Sequence, residues 1–281
     1  MLDFPDPTLY AVPLFVVTLL LERRELTRLA HSGGDVIGYE SRDTRASLLM
    51  GLGSVVAVTA INAGTFAIAT WLYPYRICEV GTGALGWAVA LVGWDFSFYW
   101  FHRWEHEHRI LWACHVNHHS SRHYNLSTAL RQPWTPWLEW LVYPPWALVG
   151  VEPWLILSAG GLNLLYQYWI HTETVGRCPA WFEAIFNTAS HHRVHHGSNA
   201  AYLDRNYGGV LIVWDRLLGT FEPERERVVF GLTKNLDSFS PWTIAFHEYA
   251  ALWRDVRRAK DWRTRWQCCW RGPGAQPRLD D

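Results

Sequence analysis

Histidine is the residue type whose spacing in this chain could most directly do chemistry. The 281 residues include 14 histidines, several of them three or four positions apart. Residues at that spacing share one face of a helix, so each leading histidine and its following partners could be aimed at one point. Neutral imidazole binds iron, zinc, copper and nickel, and thiolates and clustered carboxylates are sparse here. The motifs are His102-Arg-Trp-Glu-His106, His115-Val-Asn-His118-His119 and His192-Arg-Val-His195-His196.

The number of these motifs favours a metal centre over solvated surface histidines. A zinc protease motif HExxH is not formed, because Ile110 stands where the second histidine after His106 and Glu107 is required. Zinc needs only about three or four ligands per ion, fewer than the histidines available. A histidine-rich zinc hydrolase or metal-binding membrane protein is the alternative, but a transporter should carry its ligands inside membrane spans.

Apolar segments that precede the motifs are predicted to span a membrane, so the motifs should lie just beyond the ends of these spans. Residues 46–73 carry no charge and as a helix would extend about 42 Å, beyond a hydrocarbon core of about 30 Å. Residues 82–101 contain one charged side chain, Asp95, and residues 134–170, interrupted by prolines, are interpreted as a helical hairpin. Residues 8–21 are expected to be a retained span or partial span, since acidic rather than basic residues precede them.

Composition and charge agree with a membrane enzyme. The chain is 49% hydrophobic and only 18% charged, and it contains 19 Trp, a residue enriched at membrane interfaces. A net charge of -1 gives no general attraction for nucleic acid, so no nucleic-acid partner is expected. The five cysteines include no CxxC pair, which argues against a disulfide framework or a thiolate zinc site.

Basic residues in the short loops predict the orientation. They are concentrated after the first apolar segment, whereas only Arg76 lies between the next two, so the first loop is expected to be cytoplasmic. The sequence thus predicts an all-α integral membrane protein, in the inner or cytoplasmic membrane, with residues 1–281 as one domain. It should have about four or five transmembrane or half-membrane helices and a cytoplasmic histidine-rich helical cap. The basic residues of the first loop are Arg23, Arg24, Arg28, Arg42 and Arg45.

Residues 247–281 combine arginines with tryptophans that recur every fourth position. On a helix, Trp262, Trp266 and Trp270 form one aromatic stripe with basic residues around it. This pattern is typical of a segment that lies on an anionic cytoplasmic leaflet. A helix packed against the catalytic cap is the alternative.

The histidine motifs, in this order after apolar segments, resemble the fatty acid hydroxylase and sterol desaturase superfamily of integral-membrane di-iron oxygenases. The resemblance covers about residues 91–221 and is strongest to the alkylglycerol monooxygenase-like branch. Its most specific stretches begin at Asn117 (NHHSSRHYNLSTALR), Tyr166 (YQYWIHT), Ser190 (SHHRVHHG) and Asn206 (NYGG). The resemblance implies iron ligands at the motif histidines, with His171 at an additional ligand position. The implied ligands are His102, His106, His115, His118, His119, His171, His192, His195 and His196; His191 is left open between ligand and supporting residue.

The same resemblance implies two iron ions, O2 as co-substrate and hydroxylation of a C–H bond in an acyl, ether-lipid or sterol substrate. Desaturation on the same centre is the alternative. With no dinucleotide fingerprint in the chain, electrons are expected from a separate reductase, ferredoxin or reduced pterin. Glu107 resembles an acid implicated in pterin use in this branch, which implies a catalytic role; an exposed helix acid is the alternative.

Two further side chains carry expectations of their own. Asp95 lies two helical turns before His102 and is expected to accept the second N–H of a ligand histidine. A protonated or tyrosine-paired acid that orders helix packing is the alternative. Arg131 is expected to hold the polar head group of a lipid that enters laterally between apolar walls formed by residues 134–170.

Overall fold

The computed structural model describes residues 7–275, and the secondary structure of these residues is helical. They contain thirteen α-helices and no β-strand; two isolated bridges, Phe186 with Leu211 and Gly197 with Phe230, tie loops together. The predicted all-α class is therefore confirmed for this part of the chain. The helices are α1 (Pro7–Tyr10), α2 (Val12–His31), α3 (Ser41–Leu72), α4 (Ala84–Glu107), α5 (Arg109–His119), α6 (Leu126–Ala129), α7 (Glu139–Val142), α8 (Pro153–Trp169), α9 (Ala180–Ile185), α10 (Ala189–His195), α11 (Val213–Leu218), α12 (Pro241–Arg258) and α13 (Trp262–Trp270).

Helix α3 is the longest element and contains the uncharged run. It begins where the Glu40 carboxylate accepts a hydrogen bond from the amide of Asp43 at 2.7 Å, which satisfies one of the free N–H groups of the first turn. With the 3₁₀ turn that follows, Ser41–Tyr75 is the one helix among residues 7–275 that is long and apolar enough to cross a membrane. Its surface exposes Leu52, Val55 and Val56.

Helices α4 and α8 pack against each other. Helix α4 contains His102 and His106, and His171 follows the end of α8. Trp94 of α4 stacks on Tyr143 with ring centroids 4.4 Å apart, and Leu155 and Ile156 of α8 are buried in the same cluster. Gly160 of α8 lies where a Cβ atom would come within 3.0 Å of the Trp94 indole, so the two helices approach closely at this glycine. This packing fixes the end of α4, where His102 and His106 lie, relative to the end of α8.

The interpretation of residues 134–170 as a hairpin of two long helices is wrong for its first arm. That arm contains only the four-residue helix α7 and a 3₁₀ turn, Pro144–Ala147. Prolines are the physical reason, because each removes a backbone donor and restricts the residue before it. The second arm is the continuous helix α8, whose 17 residues begin at Pro153.

Helices α12 and α13 lie against the outer side of α5. Ser240 and Asp261 accept hydrogen bonds from the amides of Thr243 and Thr264, which caps each helix at its first turn. Arg109 joins the layers, since its guanidinium lies 2.7 Å from both the Glu248 and Asp255 carboxylates of α12. Helix α5, which contains the second histidine motif, is therefore fixed on its outer side by α12.

Candidate metal centre

Nine buried histidines converge in two groups. In each group one ligand atom per residue lies within 4.8 Å of every other. The two groups contain every histidine that the sequence analysis singled out as a ligand. Group A is His102, His106, His115, His119 and His195, and group B is His118, His171, His192 and His196.

The helical period divides each HxxHH motif between the groups. His115 and His119 are four positions apart and face group A, whereas His118 faces group B. His192 and His196 are likewise four apart and face group B, while the intervening His195 faces group A. Residues four apart differ by about 40° around a helix and adjacent residues by about 100°. The expectation that a leading histidine and both its followers aim at one point is therefore wrong, because each motif serves two points.

Backbone carbonyls orient the imidazoles. The Nδ1–H of His102 donates to the carbonyl of Tyr207 at 2.8 Å, and that of His171 donates to the carbonyl of Gln167 at 2.7 Å. His118 and His195 make the same kind of bond, to the carbonyls of Arg131 and Arg205. Since a neutral imidazole carries one proton, these four rings present an unprotonated Nε2 to the centre.

The inward nitrogens are arranged to bind a cation between them. In group B the Nε2 atoms of His118 and His171 are 3.1 Å apart, and both rings already carry their proton on Nδ1. In group A the Nε2 atoms of His102 and His115 are 3.0 Å apart. Lone pairs that face each other at this distance repel unless a metal ion binds both. The Nε2 atoms of His106, His195 and His196 are buried without a partner among residues 7–275, as expected of metal ligands.

Burial keeps the imidazoles in the neutral form that metals bind. Desolvation lowers the pKa of His171 to about 4 and holds the pKa values of His118, His192 and His196 well below the usual range. Neighbouring imidazoles contribute in the same direction for His118, His192 and His196. The donor set therefore fits two metal ions that accept nitrogen ligands.

Two carboxylates that the sequence analysis missed lie beside ligands. A carboxylate oxygen of the buried Glu105 is 3.5 Å from Nδ1 of His115, and that of Asp204 is 3.7 Å from Nδ1 of His106. Both distances are longer than a hydrogen bond, so the two acids are neighbours of the ligand rings, in positions from which a carboxylate supports a ligand. The position of Glu105 inside the first motif, directly before His106, could have identified it from the sequence. Asp204 lies in a loop distant in sequence from His106, so no local pattern identifies it.

Asp95 is buried, but it does not contact a ligand histidine, so that expectation is wrong. Its carboxylate accepts hydrogen bonds from the amides of Val210 and Leu211 and from the side chains of Asn163 and Trp214, at 2.7–3.1 Å. These bonds hold the loop that follows Tyr207, whose carbonyl orients His102. The carboxylate therefore acts on the centre through the backbone.

Glu107 lies on the surface side of α4, away from both groups. Its carboxylate accepts a hydrogen bond from Arg103 at 2.7 Å, and 39% of its side chain is exposed. The structure gives it no contact with a candidate ligand. The proposed catalytic role of Glu107 stays a prediction without geometric support.

The remaining histidines lie outside both groups. His191 lies on α10 itself and is buried, and its Nε2 is 4.0 Å from a Glu183 carboxylate oxygen rather than in either group. His108 is 2.8 Å from the carbonyl of Trp270 through its Nδ1, and His247 is 3.0 Å from the carbonyl of Ile244.

The expectation for Arg131 as a head-group ligand is wrong. Its side chain is only 2% exposed and is paired with the Asp43 carboxylate at 2.6 Å, with Ser47 and Ser120 as further partners. A guanidinium satisfied inside the protein is not free to bind lipid. Its carbonyl instead orients His118.

The described residues thus combine a helical fold with two adjoining groups of buried histidines, which fits a histidine metal centre. Residues 87–220, which contain all nine histidines, match the family model described as fatty acid hydroxylase. These residues belong to that family, and the chain is similar to its alkylglycerol monooxygenase-like branch.

The relatives agree with that placement. The chain is 46% identical over 199 residues to alkylglycerol monooxygenase of Danio rerio and 45% identical over 197 residues to that of Homo sapiens. Each match covers 69% of this chain and 44% of the relative, so the matched region spans less than half the length of these proteins. The ornithine lipid hydroxylase OlsE of Rhizobium tropici is 28% identical over 207 residues, covering 63% of this chain and 60% of that protein. No solved structure matches the chain significantly.

Proposed function

We propose that the protein is a membrane-bound non-haem di-iron oxygenase that hydroxylates a C–H bond of a lipid with O2. The observation that carries this proposal is the division of nine buried imidazoles into adjoining groups of five and four. Single-metal hydrolases need only about three or four protein ligands. The fatty acid hydroxylase match and the names of the lipid-modifying relatives support the reaction class.

Iron is the metal proposed for both groups, because iron when bound supplies the oxidising power toward O2 that amino-acid side chains lack. The residues of the chain orient and protect it. Carbonyls of Tyr207 and Gln167 fix the tautomers of His102 and His171, one in each group. Burial of all nine rings excludes bulk water from the centre. Electrons and protons are to come from outside the chain, through a reductase, ferredoxin or reduced pterin.

The substrate is proposed to be a membrane lipid, as the names of the relatives indicate. An apolar groove of about 560 Å³ lies between α4 and α7 and is lined by Trp100, Trp104 and Leu141. On α4, however, Trp100 and Trp104 stand two positions from His102 and His106 and so face the opposite side of the helix. Lateral entry of the lipid is therefore proposed, but this groove is not its direct route to the histidines.

The membrane placement is also a proposal, with α3 as a span and α2, α4 and α8 as further spans or half-spans. Arg42 and Arg45 lie at the first turn of α3, whereas Arg76 lies just beyond its other end, so the beginning of α3 is assigned to the cytoplasmic side. Arg131 pairs with Asp43 at that end and orients His118 through its carbonyl. These contacts support the proposal that the metal centre lies on the cytoplasmic side.

The reaction is tested with the full chain in nanodiscs that are loaded with Fe²⁺ and supplied with a reductant and ¹⁸O2. Hydroxylation predicts a lipid product that gains one ¹⁸O atom, whereas desaturation predicts loss of two hydrogens without ¹⁸O. His118→Ala and His195→Ala, one from each group, should abolish turnover, and His247→Ala should not. An iron-loaded, folded protein that changes no lipid in an O2-dependent way, with any of the donors, would overturn the proposal.

A further inference from the structure

Helices α12 and α13 expose an unusual combination of large aromatic and basic side chains. Trp253, Trp262 and Trp266 are 63%, 78% and 58% exposed, and Arg257 and Arg263 are exposed beside them. We refer to these five residues as the Trp/Arg surface. Indole rings combine an apolar body with one polar N–H, which suits the membrane–water interface better than bulk water.

The acidic and the basic side chains of α12 lie on different sides of the helix. The acidic Glu248 and Asp255 face inward, where both pair with Arg109 of α5. Ile244 and Leu252 are buried on the same helix. The basic side chains are left on the outer side, so the surface presents positive charge together with indole rings. An anionic, partly apolar partner complements both features.

The position of α12 indicates which partner of that kind it meets. Ile244 and Ala245 pack in one cluster with Ala46 and Met50, near the beginning of α3. The 35-residue segment Ser41–Tyr75 is about 52 Å long, well beyond a hydrocarbon core of about 30 Å. If α3 spans the membrane, its first turns project beyond the core, and the first turns of α12 pack on them at the level of the lipid head groups. The Arg42 guanidinium, 4.5 Å from the Phe239 ring centroid, adds a contact at this end.

We infer that the Trp/Arg surface binds the anionic head groups of the leaflet that borders the metal centre. This inference rests on the membrane placement in the proposed function, but it does not depend on the metal or on turnover. Binding stabilises the helices that form the surface, which reduces their local opening. Each arginine at an anionic surface should strengthen the contact about fivefold.

The test measures amide hydrogen exchange by mass spectrometry on the full chain in two kinds of nanodisc. One is pure phosphatidylcholine, and the other contains about one third phosphatidylglycerol. Exchange in peptides from α12 and α13 should be at least about threefold slower in the anionic discs, and about 0.5 M NaCl should reduce the difference. Peptides from α3 report membrane insertion in both discs and so test the placement separately.

The double variant Arg257→Gln/Arg263→Gln should lose most of the difference between the two discs. Arg225→Gln/Lys234→Gln removes the same charge from exposed positions outside α12 and α13 and should retain it. Equal exchange in both discs, or an undiminished difference in the first variant, overturns the inference. If exchange in α12 and α13 slows with the number of chains per disc rather than with lipid charge, the surface binds a second copy of the chain, and the inference is overturned. Failure of α3 to insert overturns both the placement and the inference.

Discussion

At the scale of single residues, the proton on Nδ1 determines which nitrogen an imidazole offers to a metal ion. Gln167 and Arg131 act through their carbonyls, which no side-chain motif in the sequence reveals. The spacing of the histidines predicted which residues converge. The helical period separates the members of each HxxHH motif, but which histidines meet in one group also depends on the rotation of α5 and α10 about their axes, which tertiary packing sets.

Two acids on α4 provide a matched test of support for the ligands. Glu105 is buried beside His115, whereas Glu107 pairs with Arg103 at the surface. We expect Glu105→Gln to weaken Fe²⁺ binding by about 10–100-fold, because the ring of His115 loses its carboxylate partner. Glu107→Gln should change Fe²⁺ affinity less than about twofold, since it removes only an exposed ion pair. Titration of the metal-free full chain with Fe²⁺ measures both, and equal effects would contradict this assignment.

Asp95→Ala should destabilise the protein strongly. The change leaves the amides of Val210 and Leu211 and the side chains of Asn163 and Trp214 without their acceptor. Unpaired buried donors of this kind cost about 1–3 kcal/mol each, so we expect a loss of at least about 3 kcal/mol in the free energy of unfolding. Denaturant unfolding in detergent measures it.

The control for this prediction is Asp237→Ala, which changes a side chain that is 92% exposed. It should alter the unfolding free energy by less than about 0.5 kcal/mol. A similar stability for Asp95→Ala and the native chain would show that the loop after Tyr207 is held by other contacts.

At the scale of elements, α5 is fixed on both sides, by its histidines and by α12. Apolar run length predicted α3 and α4, because long uncharged segments have few alternatives to a helix. Apolar run length gave a wrong prediction for the first arm of the hairpin. That arm is apolar enough for a long helix, but its closely spaced prolines allow only short helical segments. Apolar run length also gave no sign of the ion pairs between Arg109 and α12, since partners distant in sequence leave no local pattern.

Arg109→Ala should loosen the C-terminal helices from α5. The change leaves Glu248 and Asp255 largely buried side by side without their cation, and breaking such a pair costs about 3–5 kcal/mol where it is fully buried and less here. We expect faster hydrogen exchange in α12 and α13 and earlier cleavage in limited proteolysis. Arg103→Ala, which breaks the half-exposed pair with Glu107, should leave both readouts unchanged. Identical exchange in the two variants would contradict the role of Arg109.

At the scale of the whole molecule, the proposed membrane placement and the candidate metal centre meet at one end of α3. The buried pair between Asp43 and Arg131 connects the span to the loop that orients His118. Sequence patterning predicted the helical class. The histidines that the motifs and the family resemblance singled out converge in the structure, and their role as metal ligands stays a prediction. The number of spans needs a membrane to define it, and the chain alone identifies only Ser41–Tyr75 by length and hydropathy.

The most direct test of the account is the iron content of the folded full chain after anaerobic loading with Fe²⁺ and removal of unbound metal. Elemental analysis against protein concentration should give two iron ions per chain, because each group presents buried, neutral imidazoles to one ion. One ion or none per chain, in protein that remains folded, would contradict the two-group centre.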